Sequence, residues 1–275
     1  MRIDAHQHFW KYSPLTHPWI STQMGVIKRD FFPEDLAPLL KENGFEGCVA
    51  VQADQSERET DFLLDLAGKH DFIKGVVGWV DLRAGNTRER LEHYRAFDKL
   101  KGFRHVVQDE QDNHFIEREN FISGVRILRD FDLTYDILIY PRHLGPTKKF
   151  LEALPDQKFV IDHIAKPFIK NGILEPWEEE IRALARFPNV YCKVSGMVTE
   201  AEWKAWTQDD FKKYMDVVFD AFGTDRLMFG SDWPVCLLSA TYKEVVGIVE
   251  EYCEGFSAAE KEKLFEKNCK RFYDL

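Results

Sequence analysis

The 275 residues contain neither a Cys-x-x-Cys pair nor an apolar run approaching the length of a membrane span. The five cysteines, Cys48, Cys192, Cys236, Cys253 and Cys269, are odd in number and scattered. That pattern argues against a zinc ribbon and fits free, mostly buried thiols in a reducing compartment. Positive charge is in deficit: 37 Lys and Arg stand against 47 Asp and Glu, a formal net charge of −10. Such a surface repels a phosphate backbone, so nucleic acid is excluded as the expected partner. No Gly-rich turn follows the first apolar run, and a dinucleotide-binding sheet therefore lacks its fingerprint. Strand-like residues begin at position 3, which leaves no room for a signal peptide. The expectation is a cytoplasmic protein with no membrane partner; a homo-oligomer stays open.

What is present is a regular alternation. Apolar runs recur at Ile3 to His8, Gly47 to Val51, Ile73 to Val80, Gly102 to Val107, Thr134 to Tyr140, Lys158 to His163, Asn189 to Val194 and Arg226 to Gly230. Amphipathic stretches lie between them, among them Glu57 to Lys69, Thr87 to Lys99, Glu117 to Asp130, Pro146 to Ala153, Pro176 to Phe187 and Asp209 to Phe222. Capping-box pairs Ser56/Glu59, Thr207/Asp210, Thr241/Glu244 and Ser257/Glu260 open segments with helical periodicity. Strands alternating with helices imply parallel pairing with right-handed crossovers. Eight such strands close most simply into an α/β fold of one domain over residues 1–275, a single (β/α)8 TIM barrel.

Within the first run, Asp4, His6 and His8 occupy alternate positions, so strand geometry sends both imidazoles to one face, close enough to share a metal ion or one substrate oxygen. Such a pair also occurs as hydrogen-bonded core histidines. Near the other end, Leu227-Met228-Phe229 runs into Gly230-Ser231-Asp232-Trp233-Pro234, a buried strand with a carboxylate at its tip. Barrel closure brings that tip beside the first strand, and His163, ending the sixth, completes the group. Arg104 and His105 end the fourth strand, and Tyr140 and His143 follow the fifth. They and Lys166 are candidates to bind hydroxyls or a carboxylate, with Lys193 and Gln52 weaker. For Arg104 an ion pair with Asp109 or Glu110 is the alternative. Two aromatic connections, Phe9 to Asp30 with Trp10, Tyr12, His17 and Trp19, and Gly196 to Trp206 with Trp203, are expected over the barrel mouth. Trp10 is counted among the substrate-binding candidates.

These motifs, Ile3-Asp4-Ala5-His6-Gln7-His8-Phe9-Trp10, Gly102-Phe103-Arg104-His105, Asp162-His163 and Gly230-Ser231-Asp232-Trp233-Pro234, resemble the amidohydrolase superfamily over essentially the whole chain. The closer likeness is to its sugar-lactonase branch. The resemblance implies His6, His8 and His163 as active-site histidines and Asp232 as the strand-eight aspartate. Strand four shows no metal-bridging Lys or Glu, which argues against a two-metal centre, and the branch includes enzymes that need no divalent metal. The implied activity is hydrolysis of an aldonolactone such as L-fucono- or L-rhamnonolactone with no cofactor required. A single zinc on His6, His8 and Asp232 is the variant reading, in a metal-dependent hydrolase or decarboxylase. A non-catalytic sugar-acid-binding barrel is a third.

Overall fold

A computed structural model describes residues 2–275; Met1 lies outside the described residues. Eight parallel strands form one sheet in the order of the sequence: β1 Ile3–Gln7, β2 Gly47–Val51, β3 Ile73–Gly78, β4 Leu100–Val106, β5 Thr134–Leu138, β6 Phe159–Ile161, β7 Val190–Val194 and β8 Leu227–Phe229. All eight expected runs are strands. β-Branched and other apolar residues fill them because both faces are covered, by helices outside and by the barrel's own side chains inside. Helices occupy the intervening segments, and Glu57–Lys69 begins where Ser56 accepts the Glu59 N–H at 3.2 Å. Among the described residues no helix is long and apolar enough to cross a membrane.

Between β8 and β1 the sheet closes just past the end of β8. Gln7 bridges Trp233 in parallel, Asp232 N–H donates to the His6 carbonyl at 2.8 Å, and His8 N–H donates to the Trp233 carbonyl at 2.7 Å. The approach is tight enough to require glycine at 230: a Cβ there would lie 2.6 Å from the His6 Cβ. Asp4 reinforces the seam, its Oδ1 accepting from the backbone N–H of Ser231 at 2.9 Å and of His6 at 3.1 Å.

A β-bulge interrupts the simple alternation in β1: pairing to β2 slips between Asp4 and Gln7. Ile3 and Ala5 pack with Val49, Val51, Val77, Val160 and Met228 in the inner core, and the bulge leaves His6 and His8 facing the same interior. Asp4, expected on the histidines' face, points outward instead, where Tyr242 O–H donates to its Oδ2 at 3.1 Å. Burial pushes the Asp4 carboxyl up to about 6, against the hydrogen bonds from Ser231, His6 and Tyr242. The inner core is capped from below by the C-terminal helix Asn268–Tyr273, whose Cys269, Phe272 and Tyr273 join that cluster.

The seam makes one quantitative expectation. Gly230→Ala should destabilise the fold by about 1–3 kcal/mol, the usual penalty for an atom forced into a packed contact, read as a lower denaturant midpoint; an unchanged midpoint would show that the seam has room to spare.

Candidate active site

A cavity of about 560 Å³ opens where the strands end, and His8, Arg104, Tyr140, His163, Lys166 and Asp232 are among its walls. This is the face on which barrels of this kind carry their sites. His6 lies directly behind it, fully buried. Its Nε2 is 3.2 Å from His8 Nε2 and 3.9 Å from Asp232 Oδ1, while Asp232 Oδ1 lies 3.3 Å from His8 Nε2 and 3.8 Å from His163 Nε2. The four residues expected to form the site are therefore together, from β1, from just past β6 and from just past β8.

Hydrogen-bond roles follow from the chemistry of each partner. His8 Nδ1 sits 2.7 Å from the Val51 carbonyl, an acceptor only, so Nδ1 carries the hydrogen and Nε2 turns toward Asp232. That nitrogen lies between the Asp232 carboxylate oxygen at 3.3 Å and His6 Nε2 at 3.2 Å.

Under His6 lies a column of buried charge. Lys193 Nζ is 2.5 Å from Asp136 Oδ2, 3.0 Å from Asp162 Oδ1 and 3.1 Å from His6 Nδ1. Tyr273 O–H donates to Asp136 Oδ2 at 2.7 Å, and Arg104 Nη1 donates to Asp162 Oδ2 at 3.0 Å. Arg104 also binds the side-chain oxygen of Gln52 at 2.9 Å; it pairs with Asp162 rather than with Asp109 or Glu110. Burial opposes charge throughout. It is outweighed at Asp162, held well below the usual carboxylate range by Lys193, His6 and Arg104, and at Lys193, held up by Asp136 and Asp162. At His6 and His163 burial wins and drives both pKa values well below the ordinary imidazole range, keeping the rings neutral. Asp232 stays ionised: burial pushes it up, but His163, the His8 hydrogen bond and Lys166 bring the net shift down.

A short left-handed turn delivers the β6 residues. His163, Ile164, Ala165 and Lys166 all have φ between 46° and 57°, a conformation that costs about 1–2 kcal/mol per L-residue. The turn aims His163 and Lys166 into the cavity, and Ser195 Oγ anchors His163 Nδ1 at 2.9 Å. Gly196, itself at φ 64°, is required beside the ring: a Cβ there would meet His163 Nδ1 at 2.5 Å.

Of the expected substrate-binding residues, Arg104, Tyr140 and Lys166 reach the cavity and three do not. Trp10 is buried beneath the first loop, its indole N–H donating to the Arg29 carbonyl at 2.9 Å. His105 points to the opposite side of β4 from Arg104, stacked on Phe115 with its Nε2 donating to Glu110 at 2.7 Å. His143 is buried where its Nδ1 accepts the Tyr140 N–H at 3.1 Å. Of the aromatic loops, Trp19 and Trp203 line the mouth, whereas Trp206 donates to the Ser239 carbonyl outside it. Asp136, Tyr273 and Glu200 carry no signal in the sequence, where each is a single polar residue without a motif.

The residues present fit one metal ion. His6, His8 and Asp232 offer three donor atoms within 4.8 Å of one another, all buried, and neutral imidazoles are what such an ion needs. Asp162 Oδ1, which Lys193 Nζ meets at 3.0 Å, also lies 3.2 Å from His6 Nδ1, where it can receive the ring hydrogen of a histidine ligating through Nε2.

A family profile described as Amidohydrolase matches residues 3–275. The chain is 42% identical to an L-fucono-1,5-lactonase of Burkholderia multivorans, over 100% of this chain and 96% of that protein. It is 36% identical to an L-fucono-1,5-lactonase of Burkholderia ambifaria over the same shares. A crystal structure of a Burkholderia multivorans amidohydrolase with bound zinc superimposes with a TM-score of 0.96 at 43% identity, covering 100% of this chain and 99% of that one.

The buried column predicts that Lys193→Met, which strands Asp136 without its cation and leaves Asp162 with Arg104 alone, destabilises the protein by about 3–5 kcal/mol. Chemical denaturation measures it, and a loss under about 1 kcal/mol would mean that the two carboxyls neutralise each other by sharing protons.

Proposed function

The chain belongs to the amidohydrolase family, and we propose that it is a lactonase that opens an aldonolactone of the L-fucono-1,5-lactone kind by attack of water on the ring ester carbonyl. The observation that carries this reading is an ionised carboxylate, Asp232, facing a cavity 3.3 Å from His8 and 3.8 Å from His163. The five buried free cysteines fit action in the cytoplasm.

Asp232 takes a proton from water as the oxygen bonds to the carbonyl carbon. The developing oxyanion is held by the two imidazoles that reach the cavity. In this reaction the Ser195 hydroxyl, 2.9 Å from His163 Nδ1, acts as donor so that the Nε2–H of His163 faces the substrate, and a proton on His8 Nε2 satisfies Asp232 and presents positive charge to the carbonyl. His6 stays behind them and transmits the field of Lys193 and Asp162. Collapse breaks the bond from the carbonyl carbon to the ring oxygen, the proton on Asp232 passes to the departing alkoxide, and the resulting aldonic acid releases a proton to solvent. Arg104, Tyr140 and Lys166 orient the sugar from the cavity walls.

This mechanism does not require a metal ion. A lactone carbonyl is more electrophilic than an amide, and its alkoxide leaves more readily than an amine, so less Lewis-acid help is needed. The convergence of His6, His8 and Asp232 favours a second reading, a hydrolase with one zinc held by these residues. Such an ion would supply Lewis-acid polarisation of the carbonyl.

Acid release from a panel of aldonolactones, followed with a pH indicator, tests the proposal. Wild-type protein should turn over L-fuconolactone, and Asp232→Asn should lower kcat by roughly 10²- to 10⁴-fold, the range for removal of a general base, with its thermal midpoint little changed. Near-normal turnover by the variant would remove Asp232 from the role of base.

A further inference from the structure

Opposite the left-handed turn stands a carboxylate that the mechanism does not use. Glu200 ends the short helix Met197–Glu200 after β7, and its side chain, 23% exposed, lines the same cavity as Asp232. Its nearest cation is Lys166, with Nζ 3.9 Å from Oε1, beyond hydrogen-bond reach. The ammonium lies 5.3 Å from the Tyr140 ring centroid, and its side chain is 16% exposed. Among the described residues neither charged group makes a side-chain hydrogen bond, so a carboxylate with acceptor sites and an ammonium with three donors face the cavity unfilled. Burial raises the Glu200 carboxyl and Asp232 adds to the rise, while Lys166 pulls it down; keeping this group in the cavity works against its charge.

A pair placed only to tie the helix to the turn would close to contact distance, as Lys170 and Glu202 do at 2.8 Å a little further along the same two segments. The Lys166–Glu200 pair instead stands open toward the cavity, and Lys166 is held there by the strained backbone that also carries His163.

We infer that Glu200 and Lys166 form a hydroxyl clamp: the carboxylate accepts from one hydroxyl of a polyhydroxylated lactone while the ammonium donates to a neighbouring hydroxyl oxygen. The clamp rests on the lactonase reading and adds to it the residues that select a sugar lactone over a lactone without hydroxyls. The apolar lining of Trp19, Met24, Trp203, Val235 and Leu238 is left for the C–H faces of the ring.

The test pairs one change in the protein with one in the substrate. kcat/KM is measured for an aldonolactone and its mono-deoxy analogues with wild-type protein, Glu200→Gln and Lys166→Met. For the hydroxyl that the clamp reads, deletion should cost the wild type ~10- to 100-fold, the worth of one hydrogen bond to a charged group, and should cost the matching variant little. A loss that is the same in wild type and variants for every analogue overturns the clamp, because a structural ion pair lowers activity without regard to the hydroxyl. The same cycle run by calorimetry on binding of the aldonate and its deoxy analogues needs no turnover. A protein that turns over no lactone but shows the coupling in binding therefore contradicts the lactonase reading and keeps the clamp, and one that shows no coupling in either experiment loses the clamp.

Discussion

The barrel can close only if β8 and β1 approach closely enough for the Asp232 N–H to reach the His6 carbonyl, and that contact sets the geometry of the cavity floor. Two of the residues whose peptide groups make the seam, His8 and Asp232, face the cavity. Gly230 admits the His6 side chain, Asp4 ties Ser231 to β1, and the Asp232 carboxylate is left against His8. Closing the fold therefore brings the electron-rich atoms of His6, His8 and Asp232 together at one point. The site is a product of the closure.

Around that point the protein devotes much of its buried polarity to keeping the pattern fixed. Lys193 and Arg104 hold Asp162 ionised from two sides, Tyr273 reaches up from the C-terminal helix to Asp136, and Ser195 anchors His163. Buried charges of this kind add little net stability, because desolvation offsets their attraction. What they confer is a preset electrostatic field in a region closed to water, where it acts on a developing oxyanion without having to reorganise.

Much of this was legible in the sequence because its signals are periodic or paired. Eight apolar runs predicted eight strands, and the His6, His8, His163 and Asp232 motifs sat at their ends as expected. The outward turn of Asp4 was hidden because one extra residue in β1 reverses the alternation, and a bulge leaves no mark in composition. His105 and Arg104 were both placed in the site for being near a strand tip, yet adjacent strand residues face opposite sides, and only Arg104 points inward. Trp10 and His143 fail for a related reason: nearness in sequence to a strand end does not say whether a side chain turns to the mouth or under the loop. Lys193, with its partners Asp136 and Tyr273, came into its role only through contacts more than fifty residues apart in sequence.

In the proposed reaction a proton, not a metal ion, lies between His8 and Asp232, and the chain's own groups suffice to open a lactone. Turnover of L-fuconolactone by protein stripped with a chelator, with its metal content measured in the same sample, tests this directly. The predicted result is a rate that survives at far less than one metal ion per chain and does not rise when zinc is added back. A stripped protein that is silent until zinc is restored would make His6, His8 and Asp232 its ligands and contradict the claim.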